Sequence, residues 1–338
     1  MARAAGVSPM TVSYVYSRPA RVAAGTVERV RAAARDLGYP GPDPTARSLR
    51  RGRVGSLGVV LGERLSYAFD DPQAARFLAG VADVCVAEGV GLTLLPVTGG
   101  GTDVERVAEA VVDGLVVWTT SDDDPVLDAV ADRGLPAVVH AGPAHRGLPV
   151  VAIDDRSAAA AVGALAFAGA QRPVVLGFPL DRARARRVLR GPDVGEVGFP
   201  VTRHRWEGFR DAWAQAGRPP AALRLAVCPV NDSGQGEDLT AELLAGDEPP
   251  DAVAAMSDEL ALGALRAVTA AGLAVPHAVA VTGWDDGDAA EAAGLTTVAQ
   301  SLREQGARCA RLVLGGTPPE GEPGWRVVVR STTRPAPS

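Results

Sequence analysis

The sequence predicts an α/β protein with a small, all-α helix-turn-helix head and a bilobal body built from doubly wound parallel sheets. Residues 1–53 carry ten Arg against three acidic residues, a net charge of +7, whereas the whole 338-residue chain has a net charge of −6. From residue 54 onward, apolar runs of strand length alternate with amphipathic helices, as in parallel sheets buried on both faces. We therefore expect a basic head that binds a polyanion and an acidic, ligand-binding body.

Composition argues against several other classes of protein. No run approaches the roughly 18 apolar residues of a membrane span, and the N-terminus does not read as a secretory signal, so we expect a cytoplasmic protein. Cys85, Cys228 and Cys309 are far apart and predict three reduced, buried thiols. The sequence contains no P-loop, GxSxG or HExxH motif, and its four His residues lack metal-ligand spacing. We expect no enzymatic activity, no cofactor and no metal.

The head is predicted from a Gly-centred turn followed by a helix rich in Ser and Thr. Residues 1–5 form a short helical stub, and Ser8 is a suitable N-cap for a second helix that runs to about Tyr16. The apolar residues of a third helix recur on one face and end before Gly38: Val27, Val30, Ala34 and Leu37. We predict that three short polar residues, Ser8, Thr11 and Ser13, contact phosphate or sugar. Pro9, Met10 and Tyr14 lie on the outward side, nearer the bases.

Proline and glycine at positions 40–44 break the chain and mark a domain boundary. We predict a head over residues 1–43, a hinge over 44–53 and a body over 54–338. A helix over residues 45–50 is too short to be stable alone, so we expect it to order only when bound.

The body divides into two α/β lobes with a ligand cleft at the carboxyl ends of the strands. We predict one lobe over residues 54–155 and 301–317, and the other over 156–300 and 318–338. The basic stretch Arg182–Arg190 is interpreted as an irregular surface loop. The predicted strands are Ser56–Leu61, Gly91–Leu95, Gly114–Trp118, Ala137–His140, Val150–Ile153, Val174–Gly177, Ala252–Met256 and Val279–Gly283.

Several strings, in this order and spacing, resemble the lactose-repressor/galactose-repressor (LacI/GalR) family of bacterial transcription regulators. In the head these are Arg3-Ala4-Ala5-Gly6-Val7-Ser8, Thr11-Val12-Ser13, Leu37-Gly38-Tyr39 and Ala46-Arg47-Ser48-Leu49. In the body they include Ile153-Asp154-Asp155, Arg205-Trp206-Glu207-Gly208-Phe209, Ser257-Asp258-Glu259-Leu260 and Gly283-Trp284-Asp285-Asp286. The resemblance implies a body like that of type I periplasmic binding proteins.

The resemblance also implies a homodimeric repressor on a near-palindromic double-stranded DNA operator. Two recognition helices would occupy successive major grooves, and paired hinge helices would enter the minor groove. Leu49, with Ala46 beside it, matches the apolar wedge that kinks the central base step. Arg47 and Arg50 could hold phosphates. The alternative is an ordinary linker, in which Leu49 packs on its own body and the Arg side chains are solvated.

In this family a small effector binds between the lobes, and the resemblance implies a sugar or nucleoside here. Arg205 and Asp285 match the residues that commonly hold effector polar groups, although Arg205 could instead form an interlobe salt bridge. The remaining candidates lie at the cleft edge, in the loop after the first body strand, or in the cleft wall: Ser257, Asp258, Tyr67, Phe69, Asp70 and Trp284. Asp258 could instead cap the following helix.

Two departures from the family bear on the head. Met1 stands where the family has Val, from which we hypothesise that translation starts upstream and expect the short first helix to pack poorly. Pro9 and Met10 replace polar or aromatic residues, so we expect them to read DNA shape or thymine methyl groups. Two other classes share the body fold: a transporter's solute-binding protein and a sugar-acting enzyme. The basic head and the lack of a catalytic constellation argue against them.

Overall fold

The computed structural model describes residues 1–40 and 53–335. The chain forms two compact units, Met1–Gly55 and Ser56–Ser338, which correspond to a head and a body. The helices are α1 Pro9–Ser17, α2 Ala24–Asp36, α3 Tyr67–Asp70, α4 Pro72–Glu88, α5 Asp103–Glu109, α6 Val126–Asp132, α7 Asp155–Ala166, α8 Pro200–Gln215, α9 Ser233–Ala245, α10 Asp258–Ala270, α11 Asp288–Ala292 and α12 Leu302–Leu314. The strands are β1 Ser56–Leu61, β2 Gly91–Pro96, β3 Gly114–Trp118, β4 Ala137–His140, β5 Val150–Val151, β6 Pro173–Gly177, β7 Arg187–Arg190, β8 Arg224–Val227, β9 Ala252–Ala255, β10 Ala280–Thr282, β11 Thr297–Gln300 and β12 Trp325–Val328.

The head is a helix-turn-helix with its own small apolar core. Ser8 caps α1 as predicted, because its side chain accepts a hydrogen bond from the Thr11 N–H. Residues 2–6 form a single turn, and the expectation that it packs poorly is wrong: Ala5 is buried against Val15 and Val30. Leu37 also departs from its predicted place, since it is 57% exposed. Gly38, at φ +60°, turns the chain away from α2 before Leu37 can reach the core.

The body contains two five-stranded sheets, which agree with the predicted α/β fold class. In the first lobe all strands are parallel in the order β2-β1-β3-β4-β5, and in the second the order is β10-β9-β6-β8-β7. A separate antiparallel pair, β11 and β12, packs against α7 of the second lobe. The first lobe is completed by α12, which comes from the end of the chain and packs against α4.

Each sheet is covered on both faces, which explains why its strands are nearly continuous apolar runs. In β1, Leu57, Val59 and Leu61 pack with α4 and α12, whereas Val60 points to the opposite face, toward α5 and α6. In the second lobe, alternating residues of β6 and β9 divide in the same way between the α7–α8 face and the α9–α10 face.

Three helix pairs cross at glycines contributed by both helices. These are Gly80 and Gly306 between α4 and α12, Gly163 and Gly208 between α7 and α8, and Gly236 and Gly263 between α9 and α10. A Cβ atom at Gly80 would overlap the carbonyl oxygen of Arg303, and one at Gly306 would overlap that of Phe77. The absence of a side chain therefore permits the close approach that holds each layer onto its sheet.

The structure corrects parts of the predicted body. Arg187–Arg190, expected to be loop, is an antiparallel edge strand against β8. Such an edge is a usual place for charged side chains. The strand predicted over Val150–Ile153 is only two residues long, and the sequence did not predict β8 or α9. Cys85, Cys228 and Cys309 are buried free thiols, as expected. Across residues 1–40 and 53–335, no helix is long and apolar enough to cross a membrane.

Candidate DNA interface and effector site

The outward face of α1 carries side chains available to a partner. Met10, Ser13, Tyr14 and Ser17 recur at helical spacing on this face and are exposed, with Met10 65% and Tyr14 42% accessible. Pro9 is also exposed, whereas Thr11 is half-buried and its hydroxyl lies 2.9 Å from that of Ser8. Of the short polar residues predicted to contact phosphate, Ser8 and Thr11 lie at the N-terminal end of α1 and Ser13 lies in its middle.

The described head is rich in exposed basic side chains. Arg3, Arg18, Arg21, Arg29, Arg31 and Arg35 are all exposed, whereas the acidic residues of the described head are Glu28 and Asp36. An exposed recognition helix among arginines suits the phosphate backbone of a duplex. The predicted hinge contacts, Ala46, Arg47, Leu49 and Arg50, lie outside the described residues.

The body contains a cavity of about 140 Å³ between its two lobes, next to the carboxyl ends of β1, β3 and β4. Its polar lining includes Tyr67, His140, Arg205, Asn231 and Asp285. Its apolar lining includes Trp118, Ile153, Phe178, Phe199, Val201 and Leu302. A cleft with apolar walls and a few convergent polar groups is the usual form of a small-ligand site.

Arg205 is buried in the second lobe, where α8 brings it to the cavity wall. Its Nε donates to Asp155 Oδ1 at 2.7 Å, and its Nη1 donates to the carbonyl oxygen of Met256 at 2.5 Å. The guanidinium also lies 4.0 Å from the centroid of the Trp284 ring. Asp155 begins α7, which packs against α8 in the second lobe, so the predicted lobe boundary after residue 155 is one residue too late and this salt bridge is not the interlobe pair of the predicted alternative.

Asp285 also lines the cavity and lies in a strained turn after β10, next to Trp284. Its φ of 109° is unusual for a residue other than glycine, and its neighbour Asp286 has φ 55°. Asp285 Oδ1 accepts a hydrogen bond from Gln300 Nε2 at 2.8 Å. Burial raises the pKa of the Asp285 carboxyl well above its usual range, although the positive charge of Arg205 opposes this shift. A further hydrogen-bond donor, supplied by a ligand, would therefore stabilise this buried carboxyl group.

Tyr67 reaches the cavity, but Phe69 and Asp70, which were predicted beside it, do not. Phe69 and Asp70 lie between Tyr67 and Asp71 in the sequence. Tyr67 and Asp71 are about one helical turn apart, and both line the cavity. Phe69 is 70% exposed and Asp70 is exposed, because the short helix α3 turns them toward solvent. Burial raises the pKa of the Tyr67 hydroxyl well above its usual value, and the charge of Asp71 adds to the effect.

Ser257, Asp258 and Trp284 also lie behind the cavity wall. Ser257 caps α10 and donates to Asn231 Oδ1 at 2.5 Å. Asp258 accepts hydrogen bonds from the Gly287 N–H and the Thr297 hydroxyl, so its carboxylate ties α10 to the turn after Asp285. Trp284 is fully buried beneath Arg205. These three residues position cavity residues in the structure without lining the cavity themselves.

Sequence reasoning missed several polar residues that the fold brings to this region, including four from separate elements. His140, Asn231, Gln300 and Gln305 come from β4, the loop after β8, β11 and α12, and each lines the cavity. None lies in a recognisable motif. The only sequence signal for them was their position. His140 and Gln300 are the last residues of their strands, and ligands of α/β folds bind near the carboxyl ends of strands.

Polar contacts between the lobes hold the cleft closed. Arg184 of the second lobe donates to Glu63 Oε1 at 2.5 Å and to the carbonyl oxygen of Gly62 at 3.0 Å. Asn231 Nδ2 donates to Asp71 Oδ2 at 2.7 Å. Two further ion pairs, Arg203 with Asp122 and Arg76 with Asp288, join the lobes around the rim. Because these pairs are partly exposed, each contributes little alone, and together they define the closed arrangement.

Comparisons with known proteins agree with this architecture. A family model described as bacterial regulatory proteins, lacI family, matches residues 1–41, and one described as a periplasmic binding protein-like domain matches residues 184–334. The HTH-type transcriptional regulator IpsA from Corynebacterium glutamicum is 36% identical over 317 residues, which cover 91% of this chain and 88% of the relative.

Solved structures give the same result. A LacI-family transcriptional regulator from Corynebacterium glutamicum matches with a TM-score of 0.74 and 30% identity, covering 98% of this chain and 97% of that one. The complex of the regulator CelR with cellobiose matches with a TM-score of 0.66 and 26% identity, covering 98% of each chain. The predicted fold class, and the prediction of a regulator and not an enzyme, are confirmed. The chain therefore belongs to the LacI family of bacterial regulatory proteins and is a DNA-binding transcription regulator.

Proposed function

We propose that the protein is a cytoplasmic, homodimeric repressor whose operator affinity is set by a small, uncharged, polyhydroxylated effector held between the lobes. The observation that carries the proposal is the convergence of Arg205 and Asp285, a fixed donor and a buried acceptor, on one interlobe cavity. A cytoplasmic location follows from the proposed partner, because the chromosome of a bacterium lies there.

The charges around the cavity favour an uncharged effector. Arg205 is already neutralised by Asp155, and Arg184 by Glu63. Asp71 and Asp285 remain as further carboxyl groups in the lining. An anionic effector would find both guanidiniums already paired with a carboxylate, whereas hydroxyl groups can donate to a carboxyl oxygen and accept from the guanidinium.

Walls and size narrow the class of effector further. The faces of Trp118, Phe178 and Phe199 suit the apolar faces of a sugar ring. The volume of about 140 Å³ is below the roughly 300–1,000 Å³ of typical ligand clefts, so a single ring fits better than two. The similar regulator CelR has been solved with cellobiose, which supports a sugar-like effector. A nucleoside is the second candidate, because the aromatic walls would also accept a base.

We assign direct effector contact to Tyr67, Arg205 and Asp285. Ser257, Asp258 and Trp284 are assigned a supporting role behind them, since each contacts a neighbour of the cavity. Phe69 and Asp70 are left at the outer edge of the cleft, where they could contact only a larger ligand.

On the DNA side, we propose that Ser8, Thr11 and Ser13 contact phosphate or sugar while Pro9, Met10 and Tyr14 face the bases. The exposure of Met10 and Tyr14 supports this assignment. Two exposed large side chains on one helix face do not stabilise the isolated head, so they suit contact with a partner. We retain the predicted boundaries of head, hinge and body. In the hinge, Leu49 with Ala46 would enter the minor groove, and Arg47 and Arg50 would hold phosphates.

Regulation would then be a population shift. An effector that contacts both lobes stabilises their closed arrangement by its differential affinity for it. The lobe arrangement in a dimer sets the spacing of the two hinges and hence the affinity for a two-part operator.

The proposal is tested with an operator selected from a random duplex library and a panel of monosaccharides, polyols, disaccharides and nucleosides. We expect at least one monosaccharide or polyol to raise the melting temperature and to change operator affinity in a gel shift. Asp285→Asn should abolish both effects, whereas Asp247→Asn, an exposed loop change of the same chemistry, should leave them intact. Sugar phosphates and sugar acids complete the panel as anionic probes, and stabilisation by these anionic compounds alone would refute the effector class.

A further inference from the structure

His140 has an unusual environment for a histidine in a protein core. It ends β4, is 2% exposed and borders the cavity. Its ring centroid lies 4.6 Å from that of Phe77 and 6.4 Å from that of Trp118, which fixes the ring. Its Nε2 lies 2.9 Å from Gln305 Oε1, and its Nδ1 has no hydrogen-bond partner among the described residues. An unsatisfied buried nitrogen is costly, so its retention needs an explanation.

A chain of amides fixes which nitrogen of His140 carries the proton. Asp285 Oδ1 accepts from Gln300 Nε2, and Gln300 Oε1 accepts from Gln305 Nε2 at 3.0 Å. This leaves Gln305 Oε1 facing His140. Because an amide oxygen can only accept, His140 Nε2 must donate, and in a neutral ring Nδ1 is then a lone-pair acceptor.

The ring is neutral at physiological pH. Burial lowers the pKa of His140 to about 4, and the nearby charge of Arg205 lowers it further, while the contact with Gln305 opposes the shift. His140 borders the cavity, so a neutral acceptor stands in the cavity wall on the first-lobe side. Asp285, at the other end of the amide chain, stands on the second-lobe side.

We infer that His140 is a specificity-determining residue of the effector site, where Nδ1 accepts a hydrogen bond from an effector hydroxyl. Gln305 is its positioning residue, because Gln305 imposes the tautomer. This inference rests on the proposed function of the cavity. An effector that donates to His140 and to Asp285 would close a ring of hydrogen bonds, His140–Gln305–Gln300–Asp285–effector, that spans both lobes. Selectivity for a polyol with two correctly spaced hydroxyl donors follows from that geometry.

The first test is nitrogen-15 NMR of the full-length protein with labelled histidine, of which the chain has only four. We expect His140 to be the Nε2–H tautomer at pH 7. Gln305→Leu should abolish that preference, which a merely space-filling Gln305 would not do. A His140 ring protonated at Nδ1 in the wild-type protein would overturn the inference.

The second test adds D-ribose, D-glucose, D-mannitol and adenosine as probes. For a probe that binds, we expect the His140 Nδ1 resonance to shift, and His140→Phe to raise the Kd about tenfold, as for one lost hydrogen bond. His140→Phe keeps an aromatic ring in the stack, and the exposed substitution His277→Gln serves as the matched control.

The outcomes separate this inference from the proposed function. If a probe stabilises the wild-type protein, but neither the Nδ1 resonance nor the Kd of His140→Phe changes, the cavity binds effector without His140. If none of the hydroxylated probes binds, the proposed effector class is wrong and the inference is overturned with it.

Discussion

The guanidinium of Arg205 stacks on the indole of Trp284 with its central carbon 4.0 Å from the ring centroid. Because Asp155 and the Met256 carbonyl hold the same guanidinium by hydrogen bonds, Arg205 is fixed from three directions before any ligand binds. Preorganisation of this kind lowers the entropy lost when an effector is bound. It also makes Arg205 part of the packing of the second lobe.

Removal of Arg205 should therefore affect stability as well as binding. Arg205→Ala leaves Asp155 buried without its cation, and we expect a loss of about 3–5 kcal/mol in the free energy of unfolding together with loss of effector binding. The double variant Arg205→Ala/Asp155→Asn should recover much of the stability but none of the binding. Urea unfolding and calorimetric titration measure the two effects. A single variant as stable as wild type would contradict the structural role.

The cleft should open when Asn231 becomes acidic. Asn231→Asp places a carboxylate against Asp71 in place of a donor 2.7 Å away, and we expect the effector Kd to rise about tenfold or more. The exchanged pair Asp71→Asn/Asn231→Asp should restore binding. In this double variant, the side-chain oxygen of the amide at position 71 can still cap α4. The nitrogen of the same amide can donate to the carboxylate at position 231. A double variant as weak as the single one would show that the interlobe contact is unimportant.

The strands were predicted well where β-branched and aliphatic runs are buried on both faces. Both ends of β1, β3 and β4 were predicted correctly. By contrast, β7 reads as a charged loop and becomes a strand only by pairing with β8, which is a tertiary effect. The residues of the effector site likewise divide into those that the sequence predicted and those that it did not. Arg205 and Asp285 were found from motifs, whereas the cavity positions of His140 and Asn231 arise from separate elements that only the fold brings together.

The glycine crossing between α4 and α12 predicts a severe effect from one methyl group. Gly80→Ala would force the Cβ into the Arg303 carbonyl oxygen, so the helices must separate, and we expect a loss of about 1–3 kcal/mol or more. Gly101→Ala, where no heavy atom lies within 4 Å, should change stability by no more than about 0.5 kcal/mol. Thermal unfolding of the full chain compares the two, and equal melting temperatures would contradict the close-packing argument.

Tyr14 and Arg18 should affect DNA binding in different ways. Tyr14→Ala should weaken the selected operator by about 1–3 kcal/mol while leaving the salt dependence of binding unchanged, because no charge is lost. Arg18→Gln should weaken all duplexes alike and lower the salt slope by about one phosphate contact. Both residues are exposed, so neither change should unfold the head. Operator affinity measured over a range of salt concentrations separates the two patterns.

Asp258 links α10 to the turn that presents Asp285, and its carboxyl is buried. Burial raises the pKa of Asp258 from 3.8 to about 6, although hydrogen bonds from Gly287 and Thr297 oppose the shift. The folded state therefore binds this proton more tightly than the unfolded state does. Above pH 6 the ionised carboxyl reduces stability, and this penalty is relieved as the pH falls through 6 toward 4.

We expect Asp258→Asn to remove that contribution to the pH dependence. The amide can accept from the Gly287 N–H and donate to the Thr297 hydroxyl oxygen, as the protonated acid does. Relative to wild type, the variant should gain about 2 kcal/mol of stability as the pH rises from 4.5 to 7.5, because each pKa unit corresponds to about 1.4 kcal/mol and part of the penalty is already present at pH 4.5. Urea unfolding at several pH values measures the difference. A stability difference that stays constant over this range would show that Asp258 is already ionised at the lower pH, and its buried position would then have to be stabilised by Gly287 and Thr297 alone.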